Sequence, residues 1–232
     1  MFEKLKQEVS ALIAGNNDGH GFDHAESVCR LALRLAKSEA ADENIVVLAA
    51  WLHDVDDYKL FGEELAQNLT NARRIMSDCG VLPAMQEHVC RIISTMGYSK
   101  ALKGIRPQTL EGQIVSDADM LEAMGAQGLV RCLVYALEHC NGCTDKLFDE
   151  HVYPELNLTS EEYKQPNRTS DNFINHFFEK MLKLRNMMFT AAGRREAELR
   201  HNFMVAFLRE FFRERNCNNW LEYLENYEKH NL

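Results

Sequence analysis

Two side chains able to bind a divalent cation, His53 and Asp54, stand next to each other at the end of the apolar run Ile45 to Leu52. A packed helix normally fills such a position with carbon, because a buried charge is costly unless it is paired or coordinated. His24 lies upstream in register with Val28, Leu31 and Leu35, and Asp119 lies downstream in Ser116-Asp-Ala-Asp-Met-Leu-Glu-Ala-Met-Gly125. Two imidazoles and two carboxylates make a donor set suited to a hard or borderline divalent ion. Mn²⁺ or Mg²⁺ is the leading expectation, with Fe, Co, Ni or Zn as alternatives. Cysteine is missing from the set, which argues against a structural zinc site of the thiolate kind.

Each residue has a plainer reading by itself. His24 reads as a satisfied core histidine, and His53 as the partner of a backbone carbonyl. Asp54 reads as the end of its helix, and Asp119 as a first-turn carboxylate beside a Ser116 cap. The four taken together are harder to explain that way.

The elements that must position them are helical. Apolar residues at three- and four-residue spacing predict helices over 2–14, about 23–38 and roughly 43–54. Further helices are expected near 62–79, 83–96, 117–139, 171–190 and 194–214, with a short one near 219–228. Residues 97–116, with Gly97, Gly104, Pro107 and Gly112, read as a loop. Residues 141–170 show no period and read as an irregular excursion at a pocket rim. The expected fold is all-α. One domain is expected over 1–232, with a metal-binding core at about 20–140 and C-terminal helices at about 171–214.

With these elements in place, the order His24, His53-Asp54, Asp119 resembles the HD-domain superfamily of metal-dependent phosphohydrolases, all-helical proteins named for that dipeptide. His20-Gly-Phe-Asp-His24-Ala-Glu-Ser-Val28 resembles the family's opening helix, and Leu52-His-Asp-Val-Asp-Asp-Tyr-Lys59 its central one. Ser116 to Ala126 and His176-Phe-Phe-Glu-Lys-Met-Leu-Lys-Leu184, followed by Thr190 and Arg200, are similar to segments of a small stand-alone bacterial subgroup. The resemblance covers most of 20–213 and is weakest over 141–170. It implies that His24, His53, Asp54 and Asp119 are the metal ligands. It also places Asp57 and Lys59 in the active-site motif, Asp57 to orient or deprotonate the attacking water and Lys59 to contact phosphate oxygens. Asp57 lies three residues after Asp54, so the two share a face if the helix continues that far. A solvated turn containing Asp56, Asp57 and Lys59 is the competing expectation.

His20, Lys180, Lys183 and Arg200, with Arg185 beside them, are the candidates for substrate contact, since phosphate transfer needs positive charge opposite the metal. The implied activity is hydrolysis of a nucleotide, with a nucleoside triphosphate cut to monophosphate and pyrophosphate as the leading expectation. A metal-containing module that senses a nucleotide without turnover is one alternative. A phosphomonoesterase or phosphodiesterase acting on another small phosphate ester is the other. Asp57-Tyr58 stands where the alarmone-hydrolase branch has a Glu-Asp pair, which points away from that branch.

Several function classes are disfavoured. A formal charge of −9 argues against a nucleic-acid polymer as partner. No run approaches the ~20 apolar residues that span a bilayer, and the N-terminal residues do not read as a signal peptide. Seven cysteines, an odd number, fit reduced thiols in a cytoplasmic setting better than a disulfide framework. The Asn-x-Thr sequons at Asn68, Asn157 and Asn167 then read as chance matches. Cys140-Asn-Gly-Cys143 lacks the second pair that a zinc ribbon needs and reads as a turn. Phe203, Phe207, Phe211 and Phe212 read as core packing, or as a face on which a homodimer would form.

Overall fold

A computed structural model describes residues 1–14, 21–57 and 61–231. His20 and Lys59 therefore lie outside the described residues. The chain divides into two compact units, Met1–Asp119 and Met120–Leu232. Among the described residues the regular structure is helical and no strand occurs, as the periodicity predicts.

In the first unit the helices are α1 (Phe2–Leu12), α2 (Phe22–Glu39), α3 (Glu43–Leu52), α4 (Glu63–Asn68), α5 (Thr70–Asp78), α6 (Pro83–Ser94) and α7 (Tyr98–Leu102). α8 (Leu110–Glu122) begins there and carries Asp119 near its end. α3 is the hub. Every residue from Val46 to Leu52 is buried, which is what a helix apolar on all sides requires. It packs against α1, α2 and α6. α2 buries one stripe, including Val28, Leu31 and Leu35, and places His24 in its first turn, directly after the extended N-cap Gly21. Burying a large aliphatic or aromatic side chain contributes roughly 1.5–3 kcal/mol, so the α2–α3 seam is well able to hold a polar cluster at its edge.

The second unit contains α9 (Gly125–His139), α10 (Ser160–Tyr163), α11 (Phe173–Glu179), a 3-10 helix (Met181–Met187), α12 (Ala191–Glu214) and α13 (Asn218–Asn231). α12 packs against α9, α13 and the 3-10 helix. The excursion 141–170 is ordered by contacts to Trp220 of α13 and by a local cap. Tyr153 stacks on Trp220 with ring centroids 4.6 Å apart, the Trp220 indole N–H donates to the Glu150 carbonyl at 3.0 Å, and Thr159 with Glu162 forms a capping box on α10. Phe212 is buried as expected, whereas Phe203 is exposed.

Several element boundaries differ from the sequence expectation, each for a local reason. The span 62–79 is two helices, because Leu69 adopts a left-handed conformation at φ 50°. The span 117–139 is also two, broken by Gly125 at φ 69°, a conformation that favours glycine. Residues 97–116 are not a plain loop: they contain α7 and the first two turns of α8. α11 gives way to 3-10 geometry after Glu179 rather than continuing to 190. α3 stops at Leu52, so His53 is its C-cap and 53–56 form a turn.

Candidate metal centre

The turn after α3, the first turn of α2 and the last turns of α8 converge. His24 Nε2 lies 3.2 Å from His53 Nε2. Asp54 Oδ2 is 3.4 Å from the first of these nitrogens and 3.3 Å from the second, and Asp119 Oδ1 is 3.6 and 3.7 Å from them. Donors ~2.1 Å from a shared tetrahedral ion stand ~3.4 Å apart, and cis donors on an octahedral one ~3.0 Å. The separations of the two nitrogens from each other and from each carboxylate oxygen match that requirement. His24, His53 and Asp119 form a group able to hold a metal ion, and Asp54 supplies a fourth oxygen.

The tautomer of His53 follows from its backbone. His53 Nδ1 lies 2.8 Å from the Ala50 carbonyl, which only accepts, so Nδ1 carries the proton and Nε2 presents its lone pair to the cluster. Burial opposes a charge on His53, but the Asp54 carboxylate beside it, helped by Asp119, outweighs burial and raises its pKa above the ordinary imidazole value. Burial likewise opposes the Asp119 charge, and His24 and His53 overcome it, holding that carboxyl below the usual range. The cluster thus attracts positive charge. Asp119 sits in the last turn of α8 and His53 caps the end of α3, so the negative ends of two helix dipoles add to the attraction. His24 and His53 side chains are only 4% and 3% exposed, against 21% and 25% for Asp54 and Asp119. Solvent reaches the cluster from the carboxylate side.

Sequence order alone misplaces Asp119. It is not a first-turn carboxylate beside a Ser116 cap: α8 starts at Leu110, so Ser116, Asp117 and Asp119 all fall in its C-terminal half. Asp57 does not share a helix face with Asp54, since α3 has ended. It follows within the turn, its amide donating to the Asp54 carbonyl at 3.1 Å. Sequence reading also missed Asp56, placed in a solvated turn but in fact 4% exposed. Its signal was weak, because the amides it binds lie 15 and 16 residues away.

The basic candidates belong to the second unit, and each has a local partner. Lys180 sits over the Tyr163 ring at 5.8 Å, and Lys183 donates to the Leu156 carbonyl. Arg200 donates to the Leu121 carbonyl at 2.6 Å and to Glu196 at 2.8 Å. Arg185 lies 3.7 Å from Glu198. A second group, Asp171, His176 and Glu179, also has ligand-type atoms close together. Arg168 already supplies its cation, 2.9 Å from Glu179 and 3.4 Å from Asp171. Cys140 and Cys143 are free thiols, and burial raises both pKa values, Cys140 to about 12.

Comparison with known proteins identifies the family. The HD domain family model matches residues 21–124, which span all four converging residues. YpgQ of Bacillus subtilis, an uncharacterized protein, is 30% identical over 209 residues, 90% of each chain; its crystal structure in complex with ADP superposes with a TM-score of 0.67 at 26% identity, covering 92% of this chain and 97% of that one. A crystal structure from Lactobacillus plantarum is 34% identical with a TM-score of 0.78, covering 93% of this chain and 97% of that one. An HD-superfamily hydrolase from Bacillus thuringiensis is 29% identical with a TM-score of 0.70, covering 93% and 96%. The chain belongs to the HD superfamily. It is a metal-dependent phosphohydrolase.

Proposed function

We propose that this chain hydrolyses nucleoside triphosphates to the monophosphate and pyrophosphate, with one divalent ion, Mn²⁺ or Mg²⁺, held by His24, His53, Asp54 and Asp119. The observation that carries the reading is that two imidazole nitrogens stand 3.2 Å apart, each with a carboxylate oxygen of Asp54 and of Asp119 at 3.3 to 3.7 Å, the carboxylates being the more exposed side. A divalent ion bound there lowers the pKa of water and polarises a phosphoryl oxygen. The carboxylate half of the donor set suits Mn²⁺ or Mg²⁺, and the imidazole half keeps Fe, Co, Ni and Zn as alternatives. The nucleotide class draws on YpgQ, which was crystallised with ADP.

The chain's residues divide the remaining work. Ala50 holds His53 in the tautomer that faces the ion. Asp57 orients the attacking water and accepts its proton. The family resemblance offers Lys59 and His20 as phosphate contacts, and Lys180, Lys183 and Arg200, which belong to the second unit, as further sources of positive charge. The chain acts in the cytoplasm on a small substrate.

A panel of nucleotides incubated with Mn²⁺, Mg²⁺, Co²⁺ and Zn²⁺, read separately for orthophosphate and pyrophosphate, tests the reading. Pyrophosphate with the monophosphate is expected from at least one triphosphate. Orthophosphate alone would reassign the cleaved bond. Tight binding without product from any nucleotide would make the chain a sensor.

A further inference from the structure

Asp56 is a buried carboxylate with no place in the ion cluster two residues before it. Its Oδ1 accepts the Asn71 amide and its Oδ2 the Ala72 amide, each at 2.9 Å. Asn71 answers by donating its side-chain amide to the Val55 carbonyl at 2.9 Å. Three hydrogen bonds thus lock the turn 53–56 to the first turn of α5. That helix lacks a side-chain cap of its own, because its N-cap position is Leu69. Asp56 takes over the capping function from a distant part of the chain.

The placement has a consequence for the ligands. His53 is held by Ala50 through α3, whereas Asp54 lies beyond the helix, on the turn 53–56. Buried Val55 pins one side of that turn; Asp56 and Asn71 pin the other. α5 packs against α1 and α6, which both pack against α3, so the tie closes a rigid loop back to the helix that carries His53. Metal–ligand distances are held within ~0.2 Å of their ordinary values, and only two peptide units separate Asp56 from Asp54.

We infer that Asp56 and Asn71 are positioning residues that hold Asp54 in ligating geometry, an inference that rests on the proposed ion site. Both Asp56 oxygens are taken up by α5 amides and the Asn71 side chain by the Val55 carbonyl. A residue that only capped α5 would lower stability and leave ion affinity alone, so the two roles separate experimentally.

The test titrates Co²⁺ into the chelator-treated full chain, read by d–d absorption, alongside thermal melting of the ion-free protein. The wild type is expected to bind and His53→Ala to lose binding; failure of either sinks the ion site itself. Given that control, Asp56→Ala is expected to weaken Co²⁺ affinity by ~10–100-fold, the range typical for partners that orient ligands. Asn71→Ala, which leaves both Asp56 bonds to backbone amides in place, is expected to weaken it in the same direction. Thr159→Ala removes a comparable cap elsewhere and is expected to bind like wild type. Wild-type affinity in folded Asp56→Ala, or an equal loss in Thr159→Ala, would overturn the inference. Should Asp56→Ala fail to fold, Asn71→Ala decides: undiminished Co²⁺ binding there contradicts it.

Discussion

The Ala50 carbonyl decides which nitrogen of His53 is available, and that choice gives the cluster its chemistry. With Nδ1 protonated against the carbonyl at 2.8 Å, two ring nitrogens and two carboxylate oxygens face one point. Loss of any one donor leaves the other three uncompensated in a largely buried setting. His53→Ala and Asp54→Ala are each expected to reduce metal affinity by more than ~100-fold, beyond the loss typical for an outer partner; isothermal titration with Mn²⁺ measures it. The second acidic group behaves differently because Arg168 fills it. The Glu179 side chain is fully buried and that of Arg168 is 8% exposed. Glu179→Ala is therefore expected to cost roughly 3–5 kcal/mol in denaturant unfolding, as breaking a buried ion pair does. A chelator should leave the wild-type stability of that region unchanged.

At the scale of elements, the helices that build the site are positioned by their ends as much as by their faces. Asp42 caps α3, its carboxylate accepting the Asn44 amide at 2.9 Å, while its own amide donates to Glu111 in the first turn of α8 at 3.2 Å. α3 and α8 are thus tied at their starts and meet again where His53 faces Asp119. Asp42→Ala is expected to cost about 1 kcal/mol, seen as a lowered melting temperature. Gly128 near the start of α9 allows close approach: a Cβ there would sit 2.2 Å from the Ala123 carbonyl carbon. Gly128→Ala should destabilise by about 1–3 kcal/mol, as overpacking does, and an unchanged melting temperature would show that the α8–α9 break relaxes freely. The existence of α1, α2 and α6 was legible because their apolar stripes are strong and local, and that of α3 because its apolar run is continuous. The breaks at Leu69 and Gly125 were not, since a left-handed residue leaves the hydrophobic period almost intact. The four converging residues were legible from their types and order. Asp56 was not, because its hydrogen-bond partners are brought to it only by the tertiary fold.

For the whole molecule, thiol protonation gives a check on packing that is independent of the site. Burial pushes Cys29 up to about 11, and Cys132 and Cys140 up to about 12, whereas an unfolded thiol ionises near ~8.5. The folded chain therefore holds protons that the unfolded chain releases. This contribution is fully present below ~8.5 and is lost as pH rises through 11 to 12. Melting temperature should fall from pH 8 to pH 10, and native protein at pH 8 should resist alkylation at the buried Cys29 and Cys140. Rapid labelling of both would contradict their burial. The net charge of −9 places a demand on the site as well, since a polyphosphate approaches an anionic molecule and its binding must come from local cations. The most direct measurement of the central claim is metal add-back to chelator-treated wild type and Asp54→Ala, with pyrophosphate release from a nucleoside triphosphate as the readout. Release that appears only when Mn²⁺ or a similar ion is restored, and only in the wild type, is the predicted result. Undiminished turnover in the stripped enzyme, or in Asp54→Ala, would contradict it.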